Sequence, residues 1–190
     1  MMNKEKEVVS MHNVINDYWN HYNEMKSKDE LREKEARIIA ENSVPIIWHG
    51  RLVDYYKSKV RIITVSQNPH HRAFGDTPHF DMEKVRGISN HKELDQKSMS
   101  ILTNQFDAYF ERNKENSIND SVFSVYEKMI NEVNGSYFKN EDFENCALHL
   151  DMLSPIATNP VWSKLDTKQK LVLEKSGKKL FEDLLKVLKL

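Results

Sequence analysis

Residues able to do chemistry concentrate in one hexapeptide of the first half of the chain, Ser66-Gln67-Asn68-Pro69-His70-His71. It directly follows a β-branched run, residues 60–65, short enough to be a buried strand. A small residue closes the run, an amide follows, Pro69 stiffens the turn, and imidazoles come next. Such a turn can hold Asn68 rigidly enough to orient a water molecule against an electrophilic carbon. The plainer reading is that Asn-Pro starts a turn and Asn68 caps backbone groups.

A second apolar run, residues 146–151, closes on Asp151 and leads into another polar, Pro-containing loop, residues 154–160. In open parallel sheets ligands collect outside the carboxyl ends of the strands, so these two loops are where a site is expected. His70, His71, Asp76, His79 and Asp81 also crowd together and offer nitrogen and oxygen donors to a divalent metal. They match no recognised ligand spacing, and the expectation is solvated loop histidines with no metal and no cofactor. Ser154 has no evident His-Asp partners for nucleophilic catalysis.

Placing these groups requires an α/β frame. Val8, Met11, Ile15, Tyr18, Tyr22 and Met25 recur at helical spacing. Ser27 and Glu30 form a capping-box pattern for a second helix reaching about residue 41. The expectation is an N-terminal helical hairpin over residues 1–43, packed on an α/β domain over residues 44–190. Leu52, Tyr55 and Tyr56 suggest a further helix, and residues 66–90, with no helical period, a long ordered loop. Helices are expected at about 96–112, with Leu102, Phe106, Tyr109 and Phe110 inward, and at about 120–133, with Val122, Tyr126, Met129 and Val133 inward. The last helix starts near Asp166 and buries Leu173, Leu180, Leu184 and Leu188. Strands alternating with helices argue for a parallel sheet.

Composition narrows the class. With 190 residues, 39% hydrophobic and 30% charged, the chain reads as an ordinary globular protein of formal charge -1, so any nucleic-acid surface must be a local patch. Residues 50–99 carry net +3, residues 164–190 net +4 and residues 105–145 net -5, a polarity able to guide a phosphate backbone. The single cysteine, Cys146, excludes an internal disulfide and favours a reducing, cytoplasmic setting. No run approaches the roughly 20 apolar residues of a membrane span, and the charged start lacks a signal-peptide core.

The hexapeptide resembles the water-activating motif of the uracil-DNA glycosylase superfamily, whose best-known form reads Gly-Gln-Asp-Pro-Tyr-His after the first parallel strand. The segment Ala147-Leu148-His149-Leu150-Asp151 resembles the family's second strand. The resemblance covers roughly residues 45–185. It implies a three-layer α/β/α fold with a short parallel sheet and metal-free hydrolysis of the N-glycosidic bond of uracil or another modified base in DNA. Asn68 then positions the water, Gln67 offers its backbone N–H to the base, His70 screens the pyrimidine 5-position, and His71 beside it is counted among the substrate-binding residues. Phe80 stacks on the flipped base, and Asp151 reads its edge.

Departures from the family's pattern shape the expectations further. Ser66 replaces the first glycine, and Asp151 stands where an amide reads uracil, so the preferred base is open. The family's third and fourth strands and its His-Pro-Ser-like loop have no counterpart before Leu190. An incomplete sheet would leave the first strand with an open edge, to be covered by the N-terminal helices, a homodimer or a complementing chain. The alternative function is a catalytically silent module that keeps the fold to bind nucleic acid, a nucleotide or a protein partner.

Overall fold

In the computed structural model, residues 2–33, 36–75, 78–112, 114, 121–139 and 141–189 are described. Helix α1 (Met2–Ser27) buries Ile15, Tyr18, Tyr22 and Met25, with Met11 partly buried beside them. The Val8 side chain lies outside the described residues.

The expected second helix does not form, so the N-terminal helical hairpin is replaced by one helix and a short β-hairpin. Ser27 Oγ donates to the Glu24 carbonyl at 2.7 Å and closes α1 instead of opening a new helix. A 3-10 turn, Asp29–Leu31, leads into antiparallel β1 (Arg32–Glu33) and β2 (Ala36–Arg37). The cause is burial: Ile38, Ile39 and Ala40 are consecutive and all buried, which a helix face cannot provide. Ile39 bridges to Thr158, tying this segment to the loop after the second apolar run.

The two apolar runs pair as neighbouring parallel strands, as expected, but only the second is central and buried. The first, expected to be a buried strand, is half-buried with Val65 exposed, because among the described residues it has a sheet neighbour on one side only. Strand β3 (Ile62–Ser66) pairs in parallel with β5 (Asn145–Asp151), in a register running from Ile62 opposite Ala147 to Ser66 opposite Asp151. The short β4 (Gly135–Ser136) pairs in parallel with the other edge of β5, giving the order β3-β5-β4. Every residue of β5 is buried, the mark of a central strand covered on both faces. Among the described residues β3 lies at the edge of this sheet, and the fold is mixed α/β.

Helix α2 (Leu52–Lys57) forms, with Tyr55 buried. The stretch read as a loop contains a 3-10 turn, His71–Phe74, and a helix, α3 (Met82–Ile88), whose first turn is capped by the Asp81 carboxylate. That helix has only two buried apolar residues, Val85 and Ile88, too few for a visible period. Helices α4 (Gln96–Asp107) and α5 (Tyr109–Arg112) bury the expected Leu102, Phe106, Tyr109 and Phe110.

Helix α6 (Ser121–Asn131) exists but is rotated from expectation. Val122 and Met129, and Val133 beyond its end, are exposed, while Phe123 and Tyr126 are partly buried and Ile130 is buried. Aromatic area decides the face: Phe123 packs edge-on against Phe110 at 5.1 Å, and Glu127 accepts from the Ser136 hydroxyl and the Tyr137 N–H.

Helix α7 (Thr167–Leu188) begins with the capping box of Asp166 and Gln169 and buries the expected leucine stripe. It packs against α1 and, through Gly177, against the backbone of Leu153 and Ser154. Among the described residues no helix is long and apolar enough to cross a membrane.

Candidate functional site

Register dictates the site. Because Ser66 lies opposite Asp151, the loops that follow β3 and β5 leave the same edge of the sheet. They are then stitched together: the Met152 N–H donates to Ser66 O, and the Leu153 and Ser154 N–H groups donate to Gln67 O. Asn68 completes the seam, its Nδ2 donating at 3.1 Å to both Ile156 O and Thr158 Oγ1. Both donor hydrogens are thereby engaged, and among the described residues Oδ1 accepts no hydrogen bond. The turn-forming reading of Asn68 thus holds for its nitrogen and leaves its oxygen available.

A cleft of about 900 Å³ opens at this edge. Gln67, Asn68, His70 and Asp151 line it together with Tyr109, Phe123, Tyr126 and Trp162. A few polar groups among aromatic walls suit a planar, partly apolar ligand.

The other expected site residues lie elsewhere. The His71 ring is tilted at 32° against that of His70, ring centres 4.3 Å apart, and is not part of the cleft wall. Phe80 is buried in the core, stacked on Phe74 at 4.9 Å with the planes within 2°, and does not line the cleft. The ring nearest to that role on the wall is Tyr109, against which His79 stacks at 4.4 Å. His70 is exposed, and its Nδ1 accepts from the Arg72 N–H. Asp81 caps α3 and pairs with Lys84, while Asp76 lies outside the described residues.

Two histidines not expected at the site sit at the inner end of the cleft. His49 and His149 exchange backbone hydrogen bonds at 2.9 and 3.0 Å, which brings their rings beside Asp151. His49 Nδ1 lies 3.0 Å from His149 O. His149 Nδ1 lies 2.8 Å from Thr64 Oγ1, itself bonded to the Tyr137 hydroxyl. His149 Nε2 is 3.2 Å from Ser66 Oγ, which donates to Asp151 Oδ1. Asp151 Oδ2 is buried with no hydrogen-bond partner among the described residues. The only sequence signal for the pair is a lone histidine within each of two apolar runs, Ile46-Ile47-Trp48-His49 and Ala147-Leu148-His149-Leu150.

Burial governs the charge of this cluster. It raises Asp151 to about 7, against the bond donated by Ser66. Burial also lowers His49 to about 3, against its bond to the His149 carbonyl, and holds His149 well below the ordinary histidine range, with His49 adding to the effect. In α1, burial lowers His21 to about 4.

These shifts oppose one another in their effect on stability. The three histidines, depressed in the fold, contribute stability above the unfolded histidine pKa that is lost as pH falls. Asp151, raised in the fold, contributes stability present at low pH and lost as pH rises through about 7. Near pH 5 unfolding should take up about two protons net, each worth about 1.4 kcal/mol per pH unit, so acidification destabilises. Asp151→Asn removes the opposing contribution and should steepen the loss. Urea unfolding between about pH 7 and pH 5, in chelator, checks both slopes.

The chain matches no protein-family model, no curated protein and no solved structure in comparisons with each.

Proposed function

We propose that this chain hydrolyses the N-glycosidic bond of uracil or another modified base in DNA, as a divergent uracil-DNA glycosylase-like protein of three α/β/α layers. The observation that carries this reading is Asn68 on the cleft wall, anchored through its nitrogen with its oxygen left to accept from water. A glycosylase must extrude a base, hold its face and edge, and bring water to the sugar carbon. Asn68 Oδ1 orients that water, and the aromatic wall of Tyr109, Phe123 and Tyr126 faces the base. Asp151, kept largely protonated by burial below neutral pH, presents a donor beside an acceptor, as the amide of the family does. The lysine-rich segment 164–190 supplies charge for the phosphate backbone.

One observation favours the silent module instead: Phe80, the ring implied for base stacking, is spent on the core. Incubating the chain with single- and double-stranded oligonucleotides carrying uracil, hypoxanthine or mismatched bases separates the two. Alkali-labile abasic sites on at least one substrate support the glycosylase. Binding without abasic sites on any of them supports the module.

A further inference from the structure

We propose that His49, His149 and Asp151 form a binding site for a divalent transition-metal ion, zinc above all, at the inner wall of the cleft. This goes beyond the glycosylase reading and does not rest on it. Each of the three residues offers one ligand atom, and these atoms all lie within 4.8 Å of one another. His49 Nε2 is 3.8 Å from Asp151 Oδ2, and His149 Nε2 is 3.9 Å from Asp151 Oδ1. Zinc ligands at about 2.0–2.1 Å stand about 3.4 Å apart at tetrahedral angles, so each of these two contacts needs to close by about half an ångström and the widest-spaced pair of the trio by at most about 1.4 Å.

The surroundings are those of a metal site. A carbonyl only accepts, so the contact to His149 O fixes the proton of His49 on Nδ1 and leaves the Nε2 lone pair facing Asp151. Thr64 Oγ1 can accept from His149 Nδ1, orienting that ring in the same way. Asp151 Oδ2, buried with no hydrogen-bond partner among the described residues, is costly in the bare protein whether it carries the proton or not, and once ionised it is satisfied by a cation. Two imidazoles and one carboxylate select zinc and its neighbours over magnesium or calcium, and three protein ligands leave a further position for the cleft. A bound ion occupies the carboxylate that the glycosylase reading gives to the base, so the two states of Asp151 exclude each other.

The test uses the tag-free full chain, stripped with chelator and titrated separately with zinc, cobalt and magnesium chlorides without DNA. One equivalent of zinc or cobalt should bind, with visible cobalt bands of low coordination number, and magnesium should not compete. His49→Gln and Asp151→Asn, checked for folding by circular dichroism, should each weaken zinc binding by about 100-fold or more. A variant with His70, His71 and His79 all changed to Gln should keep it. X-ray absorption at the zinc edge of the wild-type complex, independent of any variant's folding, should report two imidazoles. Absence of stoichiometric uptake, uptake lost only in the loop variant, or a zinc environment without two imidazoles overturns the proposal. Each of these outcomes is read without base release, so the glycosylase reading stands or falls separately.

Discussion

Asn68→Ala is expected to lower base release by about 10²- to 10⁴-fold, the scale for losing a group that assists attack by water. DNA affinity should change little, because the side chain's firm contacts are made with the protein, at Ile156 O and Thr158 Oγ1. Asn68→Asp should be impaired as well: it keeps the shape but turns an acceptor toward the Ile156 carbonyl, which has no hydrogen to give. Single-turnover rates and equilibrium binding on the same oligonucleotide separate the two effects. Unchanged turnover in Asn68→Ala would return this residue to turn formation alone.

Gly177→Ala should destabilise the fold by about 2 kcal/mol or more, although alanine favours a helix by about 1 kcal/mol. A Cβ at this position would lie 2.0 Å from Leu153 O and 2.7 Å from Leu153 C, atoms of a backbone that cannot turn aside. The displaced loop also supplies the acceptors that anchor Asn68, so turnover should fall together with stability. Gly87 is the natural control, because a Cβ there meets nothing within 4 Å. Gly87→Ala should stabilise slightly, by about 0.4–1 kcal/mol, as the unfolded chain loses freedom. Urea midpoints of the two variants should move in opposite directions. A Gly177→Ala protein as stable as wild type would mean that α7 and the loop after β5 are not in close contact.

What could be read from the residues alone follows from how many constraints each element carries. Strands β3 and β5 were legible because a short β-branched or apolar run that ends at a polar loop needs no period to stand out, although only β5 proves buried throughout. The start and stripe of α7 were legible because the cap and the leucines agree. The shared rim of Asn68 and Asp151 followed from parallel pairing. The face of α6 was not legible, because valines and aromatic residues compete on it and what favours the aromatic side is long-range packing, on Phe110, Tyr137, Tyr109 and His149 among others. Residues 27–41 satisfied a helix-start pattern locally, yet burial of Ile38 and Ile39 beside Thr158 required extended chain. His49 reaches His149 only through a long-range bridge, so no local spacing announced the pair.

Photo-crosslinking addresses the central claim, that a DNA base enters this cleft, with a single measurement. A duplex carrying 4-thiouracil, which has no substituent at the 5-position for His70 to screen, irradiated with the chain and digested for mass spectrometry, attaches the base to the side chains that surround it. The account predicts adducts on the cleft wall, at Tyr109, Phe123, Tyr126 or His70. Adducts confined to the lysine-bearing surface of α7, with none in the cleft, would contradict it.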